Sequence, residues 1–238
     1  MKAYTLYNYF TLIRKMIIYN LRIIFANKFI WFLAGSILFY LGLSVIYVFS
    51  NDVSRMDDLY GVFIFSGILL VFYPSVFGIQ NDQDARTIEI IFGIPNYRYK
   101  VWLIRIILIF IIAFLIMVVF TFLSSLLIVK FRFVAVATQV MIPVIFLGMM
   151  AFMLSTVIRS GNGTAVAMII FGIFFMILQE PLQKSQWNVF LNPYNLPYNV
   201  NETSWALITL KNRIILITGS ILFLLMALSN LQKREKFM

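Results

Sequence analysis

The stretch 106-IILIFIIAFLIMVVFTFLSSLLIV-129 contains no charged residue and is bounded by Arg105 and Lys130. About 20 apolar residues in a helix cross the hydrocarbon core of a bilayer, so this stretch is predicted to span a membrane. It lacks the alternating pattern of a barrel strand, and backbone groups in lipid need partners within their own segment, which predicts a helix. Five further runs have the same character: Phe29–Phe49, Leu59–Gln80, Phe133–Ile158, Gly161–Gln179 and Ile214–Leu231.

The composition of the whole chain agrees with these six spans. Hydrophobic residues make up 62% of the 238 residues, and the mean hydropathy is +0.95. A single soluble core of this size cannot hide that much apolar surface. The sequence therefore predicts an all-α membrane protein with six transmembrane helices over residues 29–231 and no separate soluble domain.

The basic residues predict how the chain is oriented. With the N-terminus in the cytoplasm, thirteen of the 19 Lys and Arg residues lie on the cytoplasmic side, as the positive-inside rule requires. Both termini and residues 81–100 are then cytoplasmic, and residues 180–213 lie outside. The net charge of +10 is dispersed among the spans, which favours contact with anionic membrane lipids and excludes a nucleic-acid patch.

The residues that the chain lacks exclude several kinds of chemistry. It has no Cys and no His, which excludes thiolate or imidazole metal sites and a Ser-His-Asp triad. It has no G-x-x-x-x-G-K-[ST] phosphate loop, so we expect no ATPase site, metal or cofactor on this chain. No charged residue lies near the centre of a predicted span, and we interpret Gln139 and Gln179 as helix-packing residues.

Three segments flank or connect the predicted spans. Residues 1–28 place Leu6, Phe10, Ile13 and Ile17 at helical spacing among basic residues, which is typical of a helix lying in the membrane interface. Residues 180–213 are rich in proline and aromatic residues and are predicted to form short helices folded back onto the membrane surface. Residues 232–238 are predicted to be a basic cytoplasmic tail.

A charged stretch, 81-NDQDARTIEIIFGIPNYRYK-100, separates the second and third spans. Asn81 is predicted to cap a short cytoplasmic helix over residues 82–92, with Asp82 and Asp84 near its positive end. Gly93 and Pro95 are expected to end that helix. Its apolar side is formed by Ile88, Ile91 and Phe92. Such a helix offers a surface to a soluble partner, although the residues alone leave a plain connector open as an alternative.

The pattern D-x-x-T-I-E-x-x-x-x-x-P after the second span resembles the loop of the type-2 ABC transporter permeases. Asp84, Thr87, Glu89, Pro95 and Lys100 fill the positions of that pattern. Arg86 departs from it, because the family commonly has glycine there. The six-span plan, the stretch 192-NPYN-195 and the basic tail also resemble bacterial members, so the similarity covers the whole chain.

The resemblance implies a function that the composition does not. It implies the membrane subunit of an ATP-driven exporter in the bacterial cytoplasmic membrane, with ATP and Mg bound by a separate ATPase subunit. The cytoplasmic helix would be the coupling helix that docks on this ATPase. Its contact residues would be Asp84, Thr87, Ile88, Glu89, Ile91, Phe92 and Pro95.

The resemblance also implies that two permease subunits pair, with the first and fifth spans in contact. The small residues Gly35, Gly42, Gly67 and Gly172 suit such helix contacts. The apolar spans suit an amphiphilic substrate such as a lipid, a peptide or a drug. Two alternatives stay open: a stand-alone transporter or channel, and a membrane scaffold that anchors an ATPase without moving a substrate.

Overall fold

The computed structural model describes residues 18, 20, 28–49, 56–84, 91, 93 and 97–232. Six helices in this part of the chain are long and apolar enough to cross a membrane, which confirms the predicted all-helical fold with six candidate spans. The helices are α1 (Phe29–Phe49), α2 (Met56–Asp84), α3 (Ile104–Leu127, preceded by a π-helical turn, Arg98–Leu103), α4 (Phe133–Ile158), α5 (Gly161–Gln179) and α6 (Glu202–Asn230).

The centre of the bundle is formed by α2 and α4. In their most apolar windows 67% and 61% of the residues are buried, compared with 22% in α1 and 17% in α5. Helix α2 packs against α1, α3, α4 and α5, and α4 packs against α2, α3, α5 and α6. The outer faces of α1 and α5 are therefore the most exposed apolar surfaces of the described bundle.

Close packing between the central helices depends on a small residue. A Cβ atom added to Gly67 of α2 would lie 2.7 Å from Cγ2 of Val144 on α4, so glycine permits this approach. Gly67 therefore serves a helix contact within the chain, between α2 and α4. A Cβ added to Gly35, Gly42 or Gly172 would meet no atom within 4 Å.

The two ends of the bundle are organised differently. One end of the bundle, called here the turn end, contains the short connection between α4 and α5, where Arg159 adopts a left-handed conformation with φ of 58°. The Ser160 side chain caps α5 by accepting a hydrogen bond from the Gly163 N–H at 3.3 Å. At the opposite end, called here the loop end, residues 180–201 connect α5 to α6 through consecutive turns. The turn end also contains the last turns of α2 and α6.

The last turn of α2 corrects the predicted start of the cytoplasmic helix. Asn81 lies inside α2, where its side-chain amide donates to the Tyr73 hydroxyl at 3.0 Å, so the prediction that Asn81 begins a new helix is wrong. Asp82 pairs with Arg105 of α3 at 2.7 Å. This partner permits the Asp82 carboxylate to lie in a buried part of the bundle. The charge pattern alone predicts that the span ends before it, at Gln80.

The start of α6 corrects the predicted outside segment. Residues 202–213 belong to α6, and residues 180–201 form turns rather than short helices. This segment nevertheless packs against the helices, because Leu191 is buried and the Trp205 indole N–H donates to the Pro193 carbonyl at 3.2 Å. The predicted interfacial helix over 1–28 and the basic tail over 232–238 lie almost entirely outside the described residues.

Candidate functional site

A cleft of about 670 Å³ lies among α1, α2, α4 and α5 and reaches the loop end of the bundle. Most of its wall is apolar. Residues with apolar side chains that line it include Phe32, Ile64, Phe65, Ile68, Leu69, Phe72, Leu147, Met168, Ile169, Ile173, Met176 and Phe190. Ligand cavities in proteins commonly have volumes of roughly 300–1,000 Å³ and walls of this type.

Two glycines on facing helices leave part of this cleft open. Gly61 of α2 and Gly172 of α5 both line the cleft, and a Cβ added to either would meet no atom within 4 Å. A larger side chain at either position would therefore extend into space that is otherwise empty. Helix α2 contributes to the cleft along much of its length, because residues from Asp57 to Phe72 lie on its wall.

The rim of the cleft at the loop end is polar. Asp57 and Asp58 lie in the first turn of α2, where carboxylates suit the positive end of the helix dipole. The side-chain amide of Asn192 donates to the Asp57 carbonyl at 2.9 Å, which fixes residues 190–195 against α2. Gln179 and Asn195 complete the rim. The cleft thus combines an apolar length with a polar, partly acidic end.

A buried arginine lies behind Tyr60, which is itself a wall residue of the cleft. Arg213 of α6 is 5% exposed, and its Nη2 donates to the Tyr60 hydroxyl at 2.9 Å and to the Leu191 carbonyl at 3.2 Å. Its Nε donates to Oε1 of Gln139 at 2.9 Å and its Nη1 to Oδ1 of Asn212 at 2.9 Å. These bonds join α2, α4, α6 and the connecting segment.

This arrangement corrects one expectation and confirms another. The sequence predicts that Arg213 ends the segment 180–213, whereas the structure places it within α6, buried in the bundle. The interpretation of Gln139 as a helix-packing residue is confirmed, because its side chain binds Arg213 across the interface between α4 and α6. Tyr194 borders the same cluster: burial raises the pKa of its phenol, and the Arg213 charge offsets part of that shift.

The structure places two of the predicted coupling residues. Asp84 is the exposed last residue of α2. Ile91 is only 8% exposed and belongs to the main core of this chain, so in this conformation it does not present its side chain to a docking partner. The remaining predicted contacts, Thr87, Ile88, Glu89, Phe92 and Pro95, lie outside the described residues.

Comparison with models of known families, with curated proteins and with solved structures gave no match to this chain. The similarity to the type-2 permeases consequently rests on the residues quoted above.

Sequence reasoning did not identify the cleft or the arginine cluster. The cleft is formed by side chains from four helices that are far apart in the sequence, and each wall residue is an ordinary apolar residue of a membrane helix. A signal for the cluster was present, since the basic stretch 211-KNR-213 directly precedes an apolar run. It was interpreted as the end of a loop because charged residues usually mark span boundaries.

Proposed function

We propose that the chain is the permease subunit of a bacterial ABC-type exporter that moves an amphiphilic substrate and is driven by a separate ATPase subunit. The observation that carries the transport part is the cleft of about 670 Å³. Its apolar length suits the hydrocarbon part of an amphiphile, and its polar rim suits a headgroup. The ATPase, with its ATP and Mg, is inferred from the loop pattern that contains Thr87 and Glu89.

A link between the loop and the cleft supports this proposal. Asp82 lies near the end of α2 and Arg105 near the start of α3, on either side of residues 85–97, and their ion pair measures 2.7 Å. The ion pair therefore holds together the two helix ends that this loop connects. Because α2 also lines the cleft, a force applied to the loop by an ATPase would reach the cleft through one continuous helix, as alternating access requires.

The assembly and orientation belong to the same proposal. Two copies would pair through α1 and α5, whose outer faces are the least buried of the six spans and include Gly35 and Gly42 with open space beside them. Both termini would lie in the cytoplasm and residues 180–201 outside the bacterial cytoplasmic membrane. This chain would bind and move the substrate, and the separate ATPase subunit would hydrolyse ATP.

A matched pair of glycine substitutions on α2 tests the cleft. Gly61→Leu places a side chain in the cleft, whereas Gly78→Leu adds the same side chain to the same helix away from it; an added Cβ meets nothing within 4 Å at either site. The assay is ATP-dependent movement of a fluorescent amphiphile in vesicles that contain the permease and the ATPase subunit isolated with it by affinity purification.

Gly61→Leu is expected to reduce transport at least tenfold while the ATPase subunit still co-purifies, because only the substrate space is filled. Gly78→Leu is expected to behave like the parent. Equal transport by both variants would contradict a role for the cleft. Full ATPase association without any ATP-dependent movement in the parent would instead favour the scaffold.

The buried Arg213 gives one reason to keep a stand-alone transporter as a second candidate. Charged groups within membrane spans often belong to substrate or ion pathways, and Arg213 lies inside α6 next to a wall residue of the cleft. In that case the parent chain alone, without an ATPase, would move the amphiphile in vesicles at the same rate with and without ATP. Strict dependence on ATP and the second subunit would exclude it.

A further inference from the structure

A second cavity, of about 600 Å³, lies on the other side of the arginine cluster from the cleft. It is bounded by α4, α6 and the part of the connecting segment around residues 193–196. Its polar wall contains Arg213, Gln139 and Thr209, and its apolar wall contains Ile142, Leu196 and Trp205. This cavity at the loop end of the bundle thus has one polar wall and one apolar wall.

Three of these residues share one face of α6. Trp205, Thr209 and Arg213 are spaced four residues apart, so they lie one above another along the helix. The hydroxyl oxygen of Thr209 is buried and has no hydrogen-bond partner in the described part of the chain. A buried hydroxyl without a partner is unfavourable, and an acceptor bound in the cavity would supply that partner.

Arg213 lines the same cavity, and no carboxylate among the described residues neutralises its positive charge. All its hydrogen bonds go to neutral acceptors: a phenol, two side-chain amides and a backbone carbonyl. No carboxylate in the described part of the chain lies within 4 Å of it. A guanidinium has five N–H donors, of which these contacts use four. The remaining N–H on Nη1 and the uncompensated charge favour an anion.

The distance of the Arg213 contacts from the ends of the helices indicates which kind of anion can reach this cavity. Arg213 binds Tyr60, four residues after α2 begins, and Gln139, six residues after α4 begins. At a rise of about 1.5 Å per residue these positions lie roughly 6–9 Å inside the helix ends. With 26 residues, α4 extends about 39 Å and exceeds a hydrocarbon core of about 30 Å, so this depth suits the headgroup boundary of a bilayer. Leu196 and Leu210 line the cavity beside the helix and suit the start of an acyl chain.

We propose that this cavity binds the phosphate of an anionic phospholipid, with Arg213 and Thr209 as donors to its oxygens. Glu202 also lines the cavity, but it lies eleven residues before Arg213, which is about 16 Å along the helix. It is exposed to solvent, so its charge acts at the mouth rather than at the floor. The site is separate from the cleft, and the proposal does not depend on the transport function.

The test compares lipid binding by two threonine variants of the full-length chain. Thr209→Val removes the hydroxyl in the cavity and keeps the shape of the side chain. Thr138→Val makes the same change on the exposed face of α4, where the hydroxyl already bonds to the Val134 carbonyl. The lipid-depleted protein in an uncharged detergent is titrated with phosphatidylglycerol, phosphatidylcholine or inorganic phosphate, and bound ligand is counted by native mass spectrometry.

The parent and Thr138→Val are expected to bind one phosphatidylglycerol at least tenfold more tightly than phosphatidylcholine, because choline would place a second cation near Arg213. Thr209→Val is expected to bind phosphatidylglycerol about tenfold more weakly, which corresponds to the loss of one hydrogen bond to a charged group. Equal binding of phosphatidylglycerol by the parent and Thr209→Val would overturn the proposal.

Two further measurements distinguish the source of the anion and the role of Arg213. Competition by millimolar inorganic phosphate, with no preference for phosphatidylglycerol, would keep the oxyanion site and overturn the lipid as its occupant. Arg213→Lys keeps a cation but lacks the planar fork, and it is expected to weaken phosphatidylglycerol binding more than phosphatidylcholine binding. Equal weakening of both lipids would mean that Arg213 only supports the fold, which would also overturn the proposal.

Discussion

The two ends of the helix bundle bury charge in opposite ways. At the turn end, Asp82 and Arg105 form an ion pair of 2.7 Å, with side chains 6% and 5% exposed. At the loop end, Arg213 is equally buried but has only neutral partners in the described part of the chain. A charge that has its counter-ion inside the fold fixes helices to one another. A charge without one remains available to a ligand.

The neighbours of each arginine extend this contrast. The Arg105 guanidinium lies 4.8 Å from the centre of the Trp102 ring, so an aromatic residue and a carboxylate both stabilise it. Arg213 lies between two cavities, with Tyr60 on the wall of the cleft and Gln139 on the wall of the second cavity. We therefore propose that the turn end anchors the loop between α2 and α3, and that ligands bind at the loop end.

The largest effect is expected from removing one partner of the buried ion pair. Asp82→Ala leaves the Arg105 guanidinium buried without a carboxylate, and such changes destabilise proteins by about 3–5 kcal/mol. The measurement is reversible unfolding in mixed micelles. Asp84→Ala, at the exposed end of the same helix, is the control and should leave the free energy of unfolding unchanged.

The double variant Asp82→Leu, Arg105→Met sharpens this test. Replacement of both charges by apolar residues removes the desolvation penalty together with the attraction, so most of the stability should return. A free energy of unfolding as low as that of Asp82→Ala alone would show that the pair stabilises the helices by more than mutual neutralisation. Equal stability of Asp82→Ala and Asp84→Ala would contradict the burial of this charge.

A smaller effect is expected from Arg213→Met at the loop end. The substitution leaves no isolated charge, but the acceptors that Arg213 served, including Tyr60 and Gln139, lose a donor. We expect a loss of about 1–3 kcal/mol in the free energy of unfolding, by the same measurement. Lys211→Met, an exposed change on the same helix, is the control. A loss as large as that of Asp82→Ala would mean that Arg213 has a counter-ion within the fold, which would break the comparison.

The smallest effect on stability is expected from Glu89→Ala in the sequence that connects α2 and α3. If Glu89 contacts an ATPase, its loss removes a charge-assisted hydrogen bond and should lower co-purification of the ATP-binding subunit about tenfold. The free energy of unfolding of the permease itself should not change. Full co-purification and full transport by Glu89→Ala would mean that this residue does not couple the subunits.

Ile91→Ala provides the contrast for that variant. Ile91 is buried in the core of this chain, so its truncation should lower the free energy of unfolding by about 2–5 kcal/mol. Loss of ATPase association in Ile91→Ala would then follow from instability, which Glu89→Ala separates from docking. An unchanged stability of Ile91→Ala would indicate that Ile91 faces a partner, as the loop pattern had predicted.

Much of the fold could be predicted from local sequence alone. The bounds of α1, α4 and α5 agree with the predicted spans, because each ends where polar, charged or turn-forming residues interrupt an apolar run. The bounds of α2 and α6 differ from the predicted spans, because these helices continue through charged residues. A charge can lie inside a helix when another helix supplies its partner, and the identity of that partner cannot be deduced from one segment.

The candidate site was predictable only in its general chemistry. An amphiphilic ligand was expected from the apolar spans, but every membrane helix of this composition has the same appearance. Gly61 and Gly172 have open space beside them on the wall of the cleft. Gly67, on the same helix as Gly61, is instead packed against Val144. Whether a glycine opens a cavity or closes a contact depends on what lies opposite.

The sequence by itself determined that this protein has six helical segments long and apolar enough to cross a membrane, because hydropathy and backbone hydrogen bonding in lipid act along each segment separately. Only the tertiary structure decided which charges are paired and where empty space remains. Asp82 meets Arg105 23 positions away, and Arg213 meets Tyr60 153 positions away. Those contacts depend on how the helices pack against one another, and side-chain burial and electrostatic balance are properties of that packing rather than of any one segment.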